Sequence, residues 1–248
     1  MVERQPRQQL VLLGLAGLKF SKVALTAGSM VLSIAVYAQI WGWPFAAGFV
    51  GLLFVHEMGH VIAARIRGLP VSAPAFIPFL GAFITMKGRP DDAEAEAYVA
   101  YGGPFLGTLA CFAVYFWARE AESTLGLAVC YSGLVLNLFN LLPISPLDGG
   151  RITAVLGPRI WLLGAPLLVA AYFISPSPML ILIGVISLPH LRAAWQYDAA
   201  HPDNVAYYGR VGAAAKLEYT VLYLGLAALL GIMTYRVHDM LAAVHGGA

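Results

Sequence analysis

The chain has 248 residues, of which 60% are hydrophobic and 11% charged, with a formal net charge of +2. Soluble domains carry roughly a quarter charged residues and under half apolar ones, so this composition excludes a water-soluble protein and points to an integral membrane protein. No basic patch of the kind that phosphate binding needs is present, which argues against nucleic acid as a partner.

Residues 1–21 hold Arg4, Arg7 and Lys19 around an apolar patch too short to cross a bilayer. They read as a basic interfacial segment or lead-in, not as a cleavable signal peptide. Apolar runs then recur at 22–41, 44–66, 97–118, 124–142, 152–174 and 178–197. A helix needs about 20 residues to cross some 30 Å of hydrocarbon, and most of these runs qualify. Gly157, Pro158 and Pro189 interrupt the fifth and sixth, and SPSP at 175–178 supplies the turn between them. Residues 198–216 read as a cytoplasmic loop. The C-terminal portion, 217–248, holds a further span at 217–236 and a short tail.

Two stretches between spans differ in character. Residues 76–86, FIPFLGAFITM, are rich in aromatic and β-branched residues that favour a strand, and Pro78 marks an edge or bend. An acidic patch follows, Asp91, Asp92, Glu94 and Glu96, of which Glu94 and Glu96 read as a solvated face. Cys111 and Cys130 lie in apolar runs without CxxC spacing and read as packing residues. With the N terminus placed in the cytoplasm, only Arg119 and Arg236 of the 15 lysines and arginines fall outside. That asymmetry is the positive-inside signal.

The chemistry concentrates in VHEMGH, residues 55–60. On a helix His56 and His60 stand at i and i+4 on one face, and Glu57 projects about 100° away beside them. This is HExxH, the spacing by which two imidazoles hold Zn²⁺ while the glutamate acts as general base. Three ionisable groups in mid-helix cost several kcal/mol in a bilayer unless something binds them, which favours a metal over a satisfied polar cluster. Zinc needs a third protein ligand. In NLFNLLPISPLDGGRI, residues 137–152, Pro143 and Pro146 must break a helix, and broken backbone at membrane depth has to be packed in protein or line a polar cavity. Asp148 emerges there, followed by Gly149 and Gly150. Taken alone, Asp148 reads equally as a helix cap for 149–156 or as the third ligand, and the two are not exclusive.

HEMGH together with NLLPISPLDGG resembles the site-2 proteases, intramembrane zinc metalloproteases with HExxH on one transmembrane helix and N-x-x-P-x-x-x-x-D-G on a later one. The resemblance covers about residues 22–197. It implies an all-α polytopic membrane protein: a six-helix bundle, with a membrane-associated β-hairpin or loop after the HExxH helix, plus one extra C-terminal helix here. It further implies one zinc per chain held by His56, His60 and Asp148, Glu57 as general base, and Asn140 holding substrate or the developing oxyanion. YGGPFLG at 101–107 is similar to the family's Gly-Pro element, although Gly107 stands where an Asn often follows. The chain has neither PDZ nor CBS modules, so a regulatory membrane protein is an expected partner.

The function so implied is cleavage of membrane proteins within or beside their transmembrane segments. The active site would lie in the cell membrane toward the cytoplasmic side, below a cytoplasmic N terminus. The competing class is a non-catalytic membrane metal-binding protein or transporter. A transporter needs polar ligands strung across the bilayer, and a dead scaffold has no need of Glu57.

Overall fold

The computed structural model describes residues 5–246, apart from 80, 85–87 and 89. The described chain is helical throughout, with one small sheet. In order it forms α1 (Gln5–Trp41), α2 (Trp43–Ile66), β1 (Ala75–Ile77), β2 (Gly81–Phe83), α3 (Ala93–Glu120), α4 (Thr124–Asn140) and α5 (Asp148–Thr153). It continues through α6 (Trp161–Ile174), α7 (Pro178–Trp195), α8 (Pro202–Tyr207) and α9 (Ala213–Gly246). Residues 8–20 are continuous with the first span.

Local chemistry sets the boundaries. α1 and α2 part at Gly42, whose φ of +81° is one that glycine alone adopts freely, and Pro44 opens α2 in the first turn. α2 closes in a Schellman turn: Gly68 N–H donates to the Arg65 carbonyl and Leu69 N–H to that of Ala64. Asp92 caps α3, accepting from Ala95 N–H at 2.8 Å, with Glu94 and Glu96 in the first turn, where the helix dipole favours carboxylates. Ser123 caps α4 in the same way, accepting from Gly126 N–H at 3.0 Å.

The largest core joins α3, α4 and α9, with Leu52 of α2, Ile152 of α5 and Val155. α9 packs along α4 and touches α3 and α5, burying Tyr219, Leu226, Leu230 and Val237. A second core joins α1, α2 and Phe76 of the hairpin, and a third packs α6 and α7 around Ile144. The hairpin pairs β1 antiparallel to β2, with Phe76 opposite Ala82. α1 anchors it: Thr26 Oγ1 donates to the Pro74 carbonyl, Phe76 N–H to Ser29 Oγ, and Phe79 N–H to the Tyr37 hydroxyl.

Three stretches differ from the expected spans. Residues 152–174 are not one helix. α5 gives way to two 3-10 turns, Ala154–Leu156 and Pro158–Ile160, because Gly157 takes φ +103° and Pro158 has no N–H to continue the ladder. The loop expected at 198–216 contains α8. The last helix begins at Ala213 and runs past residue 236 to Gly246. Among the described residues, five helices are long and apolar enough to cross a membrane: α1 from Val23, α2, α3, α7, and α9 as far as Val244. α4 is shorter, as is the apolar stretch Pro158–Ile174 that holds α6. The chain is a multi-pass membrane protein.

At the frayed end of α4 the Leu141 carbonyl has lost its helical partner, and the Tyr223 hydroxyl of α9 donates to it at 2.5 Å. Tyr223→Phe leaves that acceptor unsatisfied, so a loss of about 1 kcal/mol is expected in reversible unfolding of the detergent-solubilised protein. Tyr235→Phe, at an exposed position on the same helix, is expected to change nothing measurable.

Candidate metal centre

His56, Glu57 and His60 lie in the C-terminal half of α2, with His60 about 9 Å along the axis from the helix end. Their side chains face the bundle and are nearly closed to solvent: His56 is 2% exposed, His60 4% and Glu57 5%. Asp148, 8% exposed, is the first residue of α5. It is not the cap of that helix. Leu147 occupies the cap position and makes no side-chain cap bond, which leaves the Asp148 carboxylate for the histidines.

The approach of α3 to α2 shapes the His60 side. A Cβ on Gly59 would lie 2.1 Å from the Gly102 carbonyl oxygen, and one on Gly103 would lie 2.2 Å from His60 Nε2. The two glycines of YGGP thus bring the helix backbones together and leave the imidazole its volume. On the Asp148 side, the chain leaves α4 after Asn140 and turns through Pro143 and Pro146. Gly149 packs so close to the Leu141 carbonyl that a Cβ would sit 2.2 Å from its oxygen.

Hydrogen bonds on the far side of each ring fix the tautomers. His60 Nδ1 lies 2.8 Å from the Val99 carbonyl of α3, an oxygen that only accepts. His56 Nδ1 lies 2.9 Å from Asn137 Oδ1, and Asn137 Nδ2 donates to the Gly133 carbonyl at 2.8 Å, which fixes the amide orientation. Both Nδ1 atoms therefore carry protons, and both Nε2 lone pairs point inward.

Those lone pairs meet each other and Asp148. His56 Nε2 is 3.1 Å from Asp148 Oδ2, His60 Nε2 is 3.2 Å from the same oxygen, and the two Nε2 atoms are 3.2 Å apart. Three acceptors at this spacing repel one another unless a cation lies among them. A tetrahedral ion about 2.0–2.1 Å from each ligand atom would separate those atoms by about 3.3 Å, close to the triangle observed. Two imidazoles and one carboxylate also match the hardness of zinc. Among the described residues this is the one group of three such side chains able to hold a metal.

Glu57, adjacent to His56, has His60, His56, Asp148 and Arg151 as electrostatic neighbours. Behind Asp148, Arg151 places Nη1 4.0 Å from Oδ1 and donates from Nε to Glu96 Oε1 at 3.1 Å. The Tyr207 hydroxyl of α8 donates to the other Glu96 oxygen. Glu96 is therefore not on a solvated face as the sequence suggested, whereas half-exposed Glu94 is, 3.9 Å from Arg67.

Of the expected residues, the structure brings His56, His60 and Asp148 together with Glu57 beside them. Asn140 is the half-buried last residue of α4, at the start of the broken segment. The asparagine that reaches the histidines is Asn137, one turn earlier, which sequence reasoning passed over. The signal available was a second amide on an otherwise apolar helix face.

This fold and site define a polytopic helical membrane protein in which the two histidines of a buried HExxH meet a distant aspartate in an arrangement able to hold a metal. Residues 44–120 match the model of peptidase family M50. The chain is similar to "Zinc metalloprotease MJ0392" of Methanocaldococcus jannaschii, at 27% identity over 163 residues, covering 63% of this chain and 47% of that one. It is also similar to "Probable zinc metalloprotease EGY1, chloroplastic" of Arabidopsis thaliana, at 28% identity over 155 residues, covering 44% of this chain and 28% of that one. The matched stretch spans less than half the length of either relative. The likeness to peptidase family M50 covers the stretch that holds the HExxH helix and α3, and the relatives named carry the description zinc metalloprotease.

Gly103→Ala tests the packing that shapes the centre. The added methyl falls on the His60 ring, so the imidazole must rotate away. Zinc content of the purified protein is expected to fall at least about tenfold while helical content by circular dichroism is retained. Unchanged zinc content would show that the close approach at Gly103 does not set the position of His60.

Proposed function

We propose that this protein is a zinc-dependent intramembrane endopeptidase that cuts transmembrane segments of other membrane proteins. The observation that carries the reading is the triangle of three inward-facing acceptors beside a buried glutamate. In this reading His56, His60 and Asp148 hold one zinc per chain. When bound, the ion lowers the pKa of water and polarises a carbonyl, the two demands of peptide hydrolysis.

The chain's own residues do the rest. Glu57 takes the proton from the attacking water and returns it to the leaving amine, a role open to it because it stands beside the ligands without being one. Asn140 supports the developing oxyanion or the substrate backbone, a role assigned from its place in the family signature. The scissile peptide must be unwound, and the edge of the β1–β2 hairpin offers backbone hydrogen bonds to an extended strand. Burial of the whole site keeps its electrostatics strong.

The basic residues assign the N terminus to the cytoplasm and the catalytic end of α2, with Arg65 and Arg67, to the cytoplasmic half of the cell membrane. Substrates are membrane proteins with a transmembrane segment, and a regulatory membrane protein is the expected partner. A transporter is not favoured. It would need ligands at several depths, and among the described residues the metal-competent cluster lies at one.

Metal binding and chemistry separate by mutation. Glu57→Gln is expected to keep close to one zinc per chain while cleavage of a membrane-tethered substrate falls by about 10²-fold or more. Asp148→Asn retains the shape but replaces a strong ligand with a weak amide. Its zinc affinity should drop at least about tenfold, with Glu94→Gln unchanged as the control. Full cleavage by Glu57→Gln would refute the mechanism. For orientation, cysteines at Ser123 or Ser177 should label from outside intact cells and a cysteine at Asp203 should not.

A further inference from the structure

We infer that Asn137 is the positioning residue for His56, and that Gly107 on the facing helix is the space that allows it to be one. Asn137 is 1% exposed, on α4, where it meets α2 and α3. Its two N–H donors stay within the helix pair: one goes to the Gly133 carbonyl of its own helix, and Cys111 Sγ of α3 lies 3.7 Å from Nδ2. Its acceptor is directed to His56 Nδ1 at 2.9 Å. An asparagine that served only to join α3 to α4 would turn its oxygen toward those helices. This one turns it to the histidine.

That bond has two consequences for a metal ligand. It selects the tautomer with the proton on Nδ1, which leaves Nε2 free to face Asp148, and it makes the imidazole a better donor. His60 receives the same service from the Val99 carbonyl, a backbone group that no substitution removes. Asn137 is the side chain that supplies it to His56. The position opposite must be bare: a Cβ on Gly107 would lie 2.4 Å from Asn137 Oδ1 and 3.1 Å from Cγ, so any side chain there would take the volume the amide fills. Neither residue belongs to HExxH or to the Asp148 signature.

The inference rests on the zinc reading above, and the test separates the two. Zinc affinity of the full purified chain is measured by competition with a chelator for wild type, Asn137→Leu and Asn137→Asp. Asn137→Leu keeps the size and loses the acceptor, so affinity is expected to fall about ten- to hundredfold. Asn137→Asp restores an acceptor for Nδ1–H and is expected to stay within about threefold of wild type. Gly107→Ala, which pushes the amide aside, should follow Asn137→Leu. If Asn137→Leu or Gly107→Ala binds zinc as wild type does, or if Asn137→Asp loses as much as Asn137→Leu, the assignment is overturned. Should the variants not fold, nitrogen-15 spectra of histidine-labelled, zinc-loaded wild type decide. A proton on Nδ1 and metal on Nε2 of His56 is expected, and the reverse overturns the inference. Wild-type protein that binds no zinc takes both readings down; zinc binding insensitive to Asn137 takes only this one.

Discussion

The bundle is arranged around one constraint: three ligand atoms, two from α2 and one from α5, are held just over 3 Å apart. Side chains from two separate helices stay in so tight a triangle only if the surrounding helices hold each of them in place. α3 does so by lying against α2 at Gly59 and Gly102 and giving the Val99 carbonyl to His60. α4 does so by giving Asn137 to His56 and then ending at Asn140. The break after α4 is what allows Asp148 to arrive from the side rather than continue up the helix.

The helix at the C terminus shares this task. It reads in the sequence as an addition to a six-helix bundle, yet Leu230 and Val237 are fully buried in the same core as α3 and α4. Tyr223 completes the hydrogen bonding of the α4 terminus at the point where the chain turns toward Asp148. Broken backbone inside a membrane protein needs such partners, because no water is there to supply them. α9 is thus part of what holds the broken segment in place.

The sequence made the site legible wherever a residue's role follows from its neighbours along the chain. HExxH depends on helical spacing alone, and Asp148 stands out because two prolines and two glycines flank it. Asn137 and Glu96 depend on partners 81 and 55 residues away, His56 and Arg151, so local pattern could mark Asn137 as a second amide on an apolar helix but could not name either partner. At 152–174 the sequence marks an interruption at Gly157 and Pro158, but not the form the backbone takes there. Hydropathy reports whether a segment prefers lipid or protein to water, and says nothing of whether its backbone is one helix. There, Gly157 and Pro158 decided the backbone while the apolar side chains packed on α5 and α7 all the same. At α9 the error ran the other way: the apolar run ends at Arg236, but the backbone ladder continues because polar residues on a helix face do not interrupt it.

A divalent ion closes the charges around the centre. Arg151 and Glu96 form one neutral pair, 3.1 Å apart and mostly buried. Asp148 and Glu57 remain, two carboxylates next to two histidines whose Nδ1 protons are already committed to Asn137 and Val99. Protonating both Nε2 atoms would balance the charge, but would set two like-charged N–H groups against each other across 3.2 Å. Protonating neither would leave two negative charges with no compensating partner in a region where each unpaired charge costs several kcal/mol. A dication among the three acceptors removes both difficulties at once. It also explains why Arg151 turns its Nε to Glu96 and approaches Asp148 only to 4.0 Å: a closer guanidinium would compete with the metal for the carboxylate. Arg151 thus approaches Asp148 without a hydrogen bond to it, and the carboxylate stays directed at the two imidazoles.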